Sequence, residues 1–166
     1  LERRGATDEA QTLRSLASGV RDLVSERRLP ILDEDGLVAA AEWLAESLQD
    51  RTTITIEIDL AGSDGMRQPG AVERAAYRVL QLALDNVIRH SGAATAFVHI
   101  QSRAHSLTLS VADEGEGVAH DSLVRAASAG HLGIADMRAE ADSVGASLTI
   151  ERRSPQGTTV TLKWHG

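Results

Sequence analysis

Four groups of residues are candidates for chemistry. Asn86, Arg89 and His90, in "LQLALDNVIRH", are spaced three and four apart, which on a helix puts them along one side. Asn86 offers a neutral oxygen suited to a hard cation such as Mg²⁺, and Arg89 suits a phosphate. Read alone, the three are better explained as an ordinary polar helix flank. In "VADEGEGV" an apolar run ends at Asp113, followed by Gly115 and Gly117. An acid at a strand end can accept a hydrogen bond from an amino group, and glycines let backbone approach a ligand; a plain turn fits too. "GHLGIADMR" places Gly130, His131, Leu132 and Gly133 before a helix whose free N–H groups attract phosphate. "GTTV" leads from Gly157 and Thr158 into a strand, which turn chemistry alone also accounts for.

The elements that must position these groups are legible from periodicity. Residues 7–28 read as an amphipathic helix with Leu13, Leu16, Val20 and Leu23 on its stripe and Pro30 beyond its end. Nothing near it in sequence covers that stripe, so a partner chain is expected. A second helix, "GLVAAAEWLAESLQD", turns Leu37, Ala40, Ala41, Leu44 and Leu48 inward. "TTITIEIDL" alternates as a half-buried strand with Ile54, Ile56 and Ile58 on one side. Residues 71–90 form a long helix with Leu80, Ala83, Leu84 and Val87 on its buried stripe. Leu82 breaks that pattern, because it falls on the polar flank beside Asn86. "TAFVHIQSR" and "HSLTLSVAD" read as an antiparallel hairpin, "IADMRAEADSVG" as a short helix, and "ASLTIERRSPQGTTVTLKW" as a closing hairpin. The fold class is α+β: a two-layer sandwich with a mixed, mostly antiparallel sheet and helices on one face, preceded by a long N-terminal helix.

Composition narrows the partners. The 166 residues carry a net charge of −7, which argues against broad nucleic-acid binding. There are no cysteines, so disulfides and thiolate metal sites are excluded. No apolar run approaches the roughly 20 residues of a membrane span. The chain opens on Leu1 with a polar stretch, as expected for a fragment of a longer protein.

The order of the four groups, an Asn on a helix, D-x-G-x-G after a strand, G-x-x-G before a helix, then G-T into the last strand, resembles the ATPase domain shared by gyrase, histidine kinases and the mismatch-repair protein MutL (the GHKL superfamily). The resemblance covers about residues 36–166. "ERRLPILDEDGLVAAAEWLAE", "NVIRHSGA" and "GHLGIADMRAEADSVGASLTI" are similar to the nitrate-sensor-type class of bacterial sensor histidine kinases. The resemblance implies ATP and Mg²⁺ as cofactors. Asn86 would be the Mg²⁺ ligand, with Arg89 and His90 beside the phosphates as catalytic residues. Asp113 would accept the adenine amino hydrogen bond above Gly115 and Gly117, and Thr158 would join the water network around adenine. Residues from about 118 to 132 would be a lid, with Gly130, His131, Leu132 and Gly133 admitting the phosphates. Residues 1–30 would be part of a dimerising helix bundle and 36–166 the catalytic domain. The implied partners are the rest of a sensor kinase, a second copy and a response regulator, with no direct nucleic acid or membrane contact and a cytoplasmic location.

Two departures stand against the family pattern. Leu82 occupies the position, four before the asparagine, where the family usually has an acid that acts as base or orients metal-bound water. None of the six histidines lies in an amphipathic helix followed by the acid expected at a phosphoacceptor. Two other readings therefore stay open, a degenerate nucleotide- or partner-binding regulatory module and an anti-sigma-type serine kinase.

Overall fold

In the computed structural model, residues 30–116 and 132–166 are described. The helix expected over 7–28, the lid segment up to residue 131, and Gly117, Gly130 and His131 lie outside the described residues. The elements run α1 (Gly36–Gln49), β1 (Thr55–Asp59), α2 (Gly70–Asn86), a π-helical turn (Val87–Ser91), β2 (Thr95–Arg103), β3 (Ser106–Asp113), α3 (Leu132–Ser143), β4 (Ser147–Arg152) and β5 (Thr158–His165).

Among the described residues the strands form one sheet in the order β1-β2-β3-β5-β4. β1 pairs parallel with β2 and the remaining neighbours pair antiparallel. A parallel pair needs a long crossover, and α2 supplies it. Strand alternation sets the two faces. Ala96, Val98 and Ile100 of β2, Leu107, Leu109 and Val111 of β3, and Val160 and Leu162 of β5 are buried. Their neighbours, such as Thr108, Ser110, Thr159 and Thr161, are half-exposed on the opposite, polar face. The mixed sheet with helices packed over its apolar side is the sandwich expected from the sequence.

α1 buries the five residues expected of it, and Gly36 and Ala45 besides. α2 departs from expectation in two ways. First, its burial is not confined to one stripe. Ala75, Ala76, Tyr77, Val79 and Leu82 are buried together with Leu80, Ala83 and Leu84. Leu82, expected on a polar flank, is 8% exposed and belongs to the core. The reason is tertiary: α1 and α3 both pack on α2, so it is covered from more than the sheet side. Second, the regular helix ends at Asn86 rather than at 90 and widens into the π turn. There the Ser91 hydroxyl donates to the Val87 carbonyl at 2.7 Å and accepts the Ala93 N–H at 3.0 Å.

β3 is the middle strand, and Leu109 on it is 1% exposed. Leu109→Ala should cost about 3 kcal/mol. It should lower the urea midpoint and leave the slope of the transition unchanged.

Candidate functional site

The sequence-nominated residues inside the described chain converge at one end of the sheet. Asn86, half-buried, is the last residue of α2. Gly133, in the first turn of α3, sits against it: a Cβ there would lie 3.3 Å from Asn86 Oδ1 and 3.5 Å from Nδ2. The N-terminal end of α3, which Leu132 opens, therefore abuts the Asn86 amide. Free N–H groups at such an end attract anions.

Asp113 ends β3 and is 4% exposed. Its Oδ1 accepts the Gly115 N–H at 2.8 Å, and among the described residues no donor meets its other oxygen. A carboxylate oxygen without a partner can accept a further hydrogen bond. Thr158, also buried, opens β5 beside it.

Two glycines hold this carboxylate loop in place. At Gly115 a Cβ would overlap the Ser91 carbonyl oxygen, and the next residue, Glu116, donates its N–H to that oxygen at 3.0 Å. At Gly157, with φ of 106°, a Cβ would overlap the Asp113 carbonyl oxygen. The loop is thus pressed between the π turn and the start of β5. The turn before β5 braces it further, through Gln156 Nε2 donating to the Glu114 carbonyl at 2.9 Å. Arg153 stands over the Phe97 ring at 5.6 Å and 3.7 Å from the Glu114 carboxylate.

Arg89 and His90 are exposed on the π turn, next to Asn86. Arg89 Nε donates to Asp85 Oδ1 at 2.7 Å, an i,i+4 pair. Sequence reasoning missed Ser91 and Gln156. Both act through backbone contacts with residues distant in sequence, which no spacing rule reveals. Gly115 did carry a signal, as the middle of D-x-G-x-G.

Residues 71–165 match the family described as histidine kinase-, DNA gyrase B- and HSP90-like ATPases. The chain is 34% identical over 151 residues to the sensor histidine kinase NarS of Mycobacterium tuberculosis, covering 91% of this chain and 34% of that protein. It is 25% identical over 155 residues to the signal transduction histidine-protein kinase/phosphatase DegS of Brevibacillus brevis, covering 93% of this chain and 39% of that one. The chain thus spans little more than a third of the curated relatives it matches. The blue-light activated histidine kinase of Erythrobacter litoralis EL346 superposes with a TM-score of 0.69 at 20% identity, over 93% of this chain and 49% of that one. The ATP binding domain of PrrB from Mycobacterium tuberculosis does so with a TM-score of 0.52 at 18% identity, over 73% and 86%. At those identities the two structures establish the fold.

The glycine contacts make a paired prediction. Gly115→Ala should cost about 2–3 kcal/mol, because backbone must move to admit the methyl group. Gly145→Ala, at φ of 69° with open space around it, should cost only about 1 kcal/mol from backbone strain. Thermal unfolding of the two variants beside the parent checks the order.

Proposed function

The chain belongs to the family of histidine kinase-, DNA gyrase B- and HSP90-like ATPases, and from that premise we propose that it is the ATP-binding catalytic unit of a two-component sensor histidine kinase. The observation that carries the nucleotide site is Asp113, a buried carboxylate at a strand end with one oxygen held by Gly115 and the other uncommitted among the described residues. That is the acceptor an adenine amino group requires. Gly115 keeps the pocket floor thin, and Thr158 stands where a hydroxyl can order water around the base. Asn86 is the Mg²⁺ ligand in this reading. Mg²⁺ takes one or two protein oxygens beside phosphates and retains several waters, so a single amide oxygen suffices. Gly133 leaves room at the Asn86 amide, and the α3 N-terminus offers its N–H groups to phosphate. Arg89, oriented by Asp85, and His90 supply donors on the neighbouring turn.

Bound ATP and Mg²⁺ would supply the transferable phosphoryl group and the charge that stabilises its transfer. The protein's own part is positioning. The acceptor is a histidine on a helix bundle, from which the phosphoryl group passes to a response regulator. Residues 1–30 belong to that bundle and pair with a second copy, and the unit works in the cytoplasm. Support for these partners comes from the sensor kinases to which the chain is similar. Among the described residues no helix is long and apolar enough to cross a membrane.

Leu82 favours a second reading, a nucleotide-binding regulatory module without kinase activity. Its burial shows that this position is part of the packing, where an acid would need its own compensation. Leu82→Glu should therefore destabilise the chain by about 3 kcal/mol, read from urea unfolding. In the intact protein, autophosphorylation that quickens with the same substitution marks position 82 as a weakened catalytic position; an unchanged rate denies it that meaning.

Calorimetric titration of ATP with and without Mg²⁺ tests the main reading. Asp113→Asn should weaken binding about tenfold or more, since it removes a charged hydrogen-bond acceptor. Omitting Mg²⁺ should weaken it further. Binding that is indifferent to Mg²⁺ would count for the regulatory module, and no binding at all would overturn the nucleotide site.

A further inference from the structure

The described chain begins with a short helical turn, residues 30–34, ahead of α1. The Asp35 N–H closes this turn on the Ile31 carbonyl at 2.8 Å. The last carbonyls of such a turn have no donor within it. Here three of them share one side chain. The Arg67 guanidinium donates to the carbonyls of Leu32 at 3.3 Å, Asp33 at 3.2 Å and Glu34 at 3.1 Å.

The same guanidinium is anchored from behind. Its Nε donates to both Glu73 carboxylate oxygens at 3.0 and 3.1 Å, and a terminal nitrogen reaches Oε2 at 2.9 Å. Glu73, in the first turn of α2, is 3% exposed and also accepts the Gln68 backbone N–H at 3.0 Å. Gly36 makes room for the arginine: at φ of 91°, a Cβ there would stand 2.7 Å from Arg67 Nε. The flat, forked guanidinium can meet a carboxylate and several carbonyls at once, which an ammonium cannot.

Two features make this contact one that can open. The Arg67 side chain is 47% exposed, so water can replace its bonds to the carbonyls. Beside it a pocket of about 320 Å³, partly open to solvent, is lined by Arg67 itself together with Leu37, Val38, Leu60, Met66 and Ile100. Leu32, 2% exposed, remains as an apolar anchor, and Arg74 adds an exposed pair with Asp33 at 3.3 Å.

We propose that Arg67 is a releasable joint: it locks residues 30–36 onto the start of α2, and its opening frees the direction in which the preceding chain leaves the ATPase unit without unfolding that unit. Nucleotide-site residues stand at the other end of the same helix, 13 positions from Glu73 to Asn86, about 20 Å away. The joint can therefore regulate how the unit is presented while the site stays assembled. This consequence rests on the nucleotide reading above; the joint itself does not.

Arg67→Lys is the test, because lysine keeps a cation beside buried Glu73 and so protects the fold. Hydrogen–deuterium exchange is followed by mass spectrometry in peptides covering 31–37 and in the β2–β3 hairpin, and ATP affinity is titrated alongside. Uptake in 31–37 should quicken about tenfold or more, with the hairpin unchanged and the affinity held within about twofold. The double variant Arg67→Gln with Glu73→Gln, which removes both charges, should behave alike. Unchanged uptake in 31–37 would overturn the proposal, showing that Leu32 alone docks the segment. Faster uptake in the hairpin as well, or affinity lost about tenfold, would also overturn it, since Arg67 would then support the whole unit. Failure of the parent chain to bind ATP would count against the nucleotide site and leave the exchange result to decide the joint.

Discussion

The end of α2 and the end of β3 meet at one backbone contact, the Ser91 carbonyl lying against Gly115 and accepting the Glu116 N–H. Much of the site depends on it. β3 could carry Asp113 to its end without any contact to the helix layer, and the two layers would then present their polar groups separately. The contact ties the carboxylate loop to the helix that carries Asn86, while Gly157 closes on the same loop from the sheet side. A side chain at Gly115 would push the loop off the helix layer, and one at Gly157 would push it off the start of β5. The arrangement is a constraint of volume before it is one of charge.

The secondary structure was largely legible in the sequence, and for a simple reason. α1 and the strands each bury a single face, so periods of 3.6 and 2 report their burial faithfully. α2 has no such simplicity. It is covered by the sheet, α1 and α3, and its buried residues run nearly all round. Leu82 looked out of place only because the sequence could not show how much of α2 is covered. Its burial also changes what its presence means, since apolar packing is now sufficient reason for a leucine.

The site was legible in its motif residues and illegible in what holds them. Gly133 lies against Asn86, and Asp113 and Thr158 stand at neighbouring ends of β3 and β5, with one Asp113 oxygen held by Gly115. Ser91 and Gln156, which hold the site, and Arg67 and Glu73, which hold residues 30–36 at the other end of α2, gave no signal. Each works through a main-chain partner, or through a carboxylate whose burial follows from tertiary packing. Arg67 and Glu73 read locally as a charged loop residue and a charged first-turn residue. Glu73 has the helix N-terminus to favour it, and only the folded chain shows that it is buried and paired.

The π turn after Asn86 fixes the chain's length at that point. A π turn holds about one residue more than the α-helical turn it replaces, and such turns are often found at functional sites. The segment from Val87 to Ser91 therefore tolerates substitution differently from deletion. Losing one residue would let the helix relax to its ordinary pitch. It would also turn whatever followed by about 100° around the axis, carrying the carbonyl that meets Gly115 away from it. The number of residues in this turn is thus constrained separately from their identity.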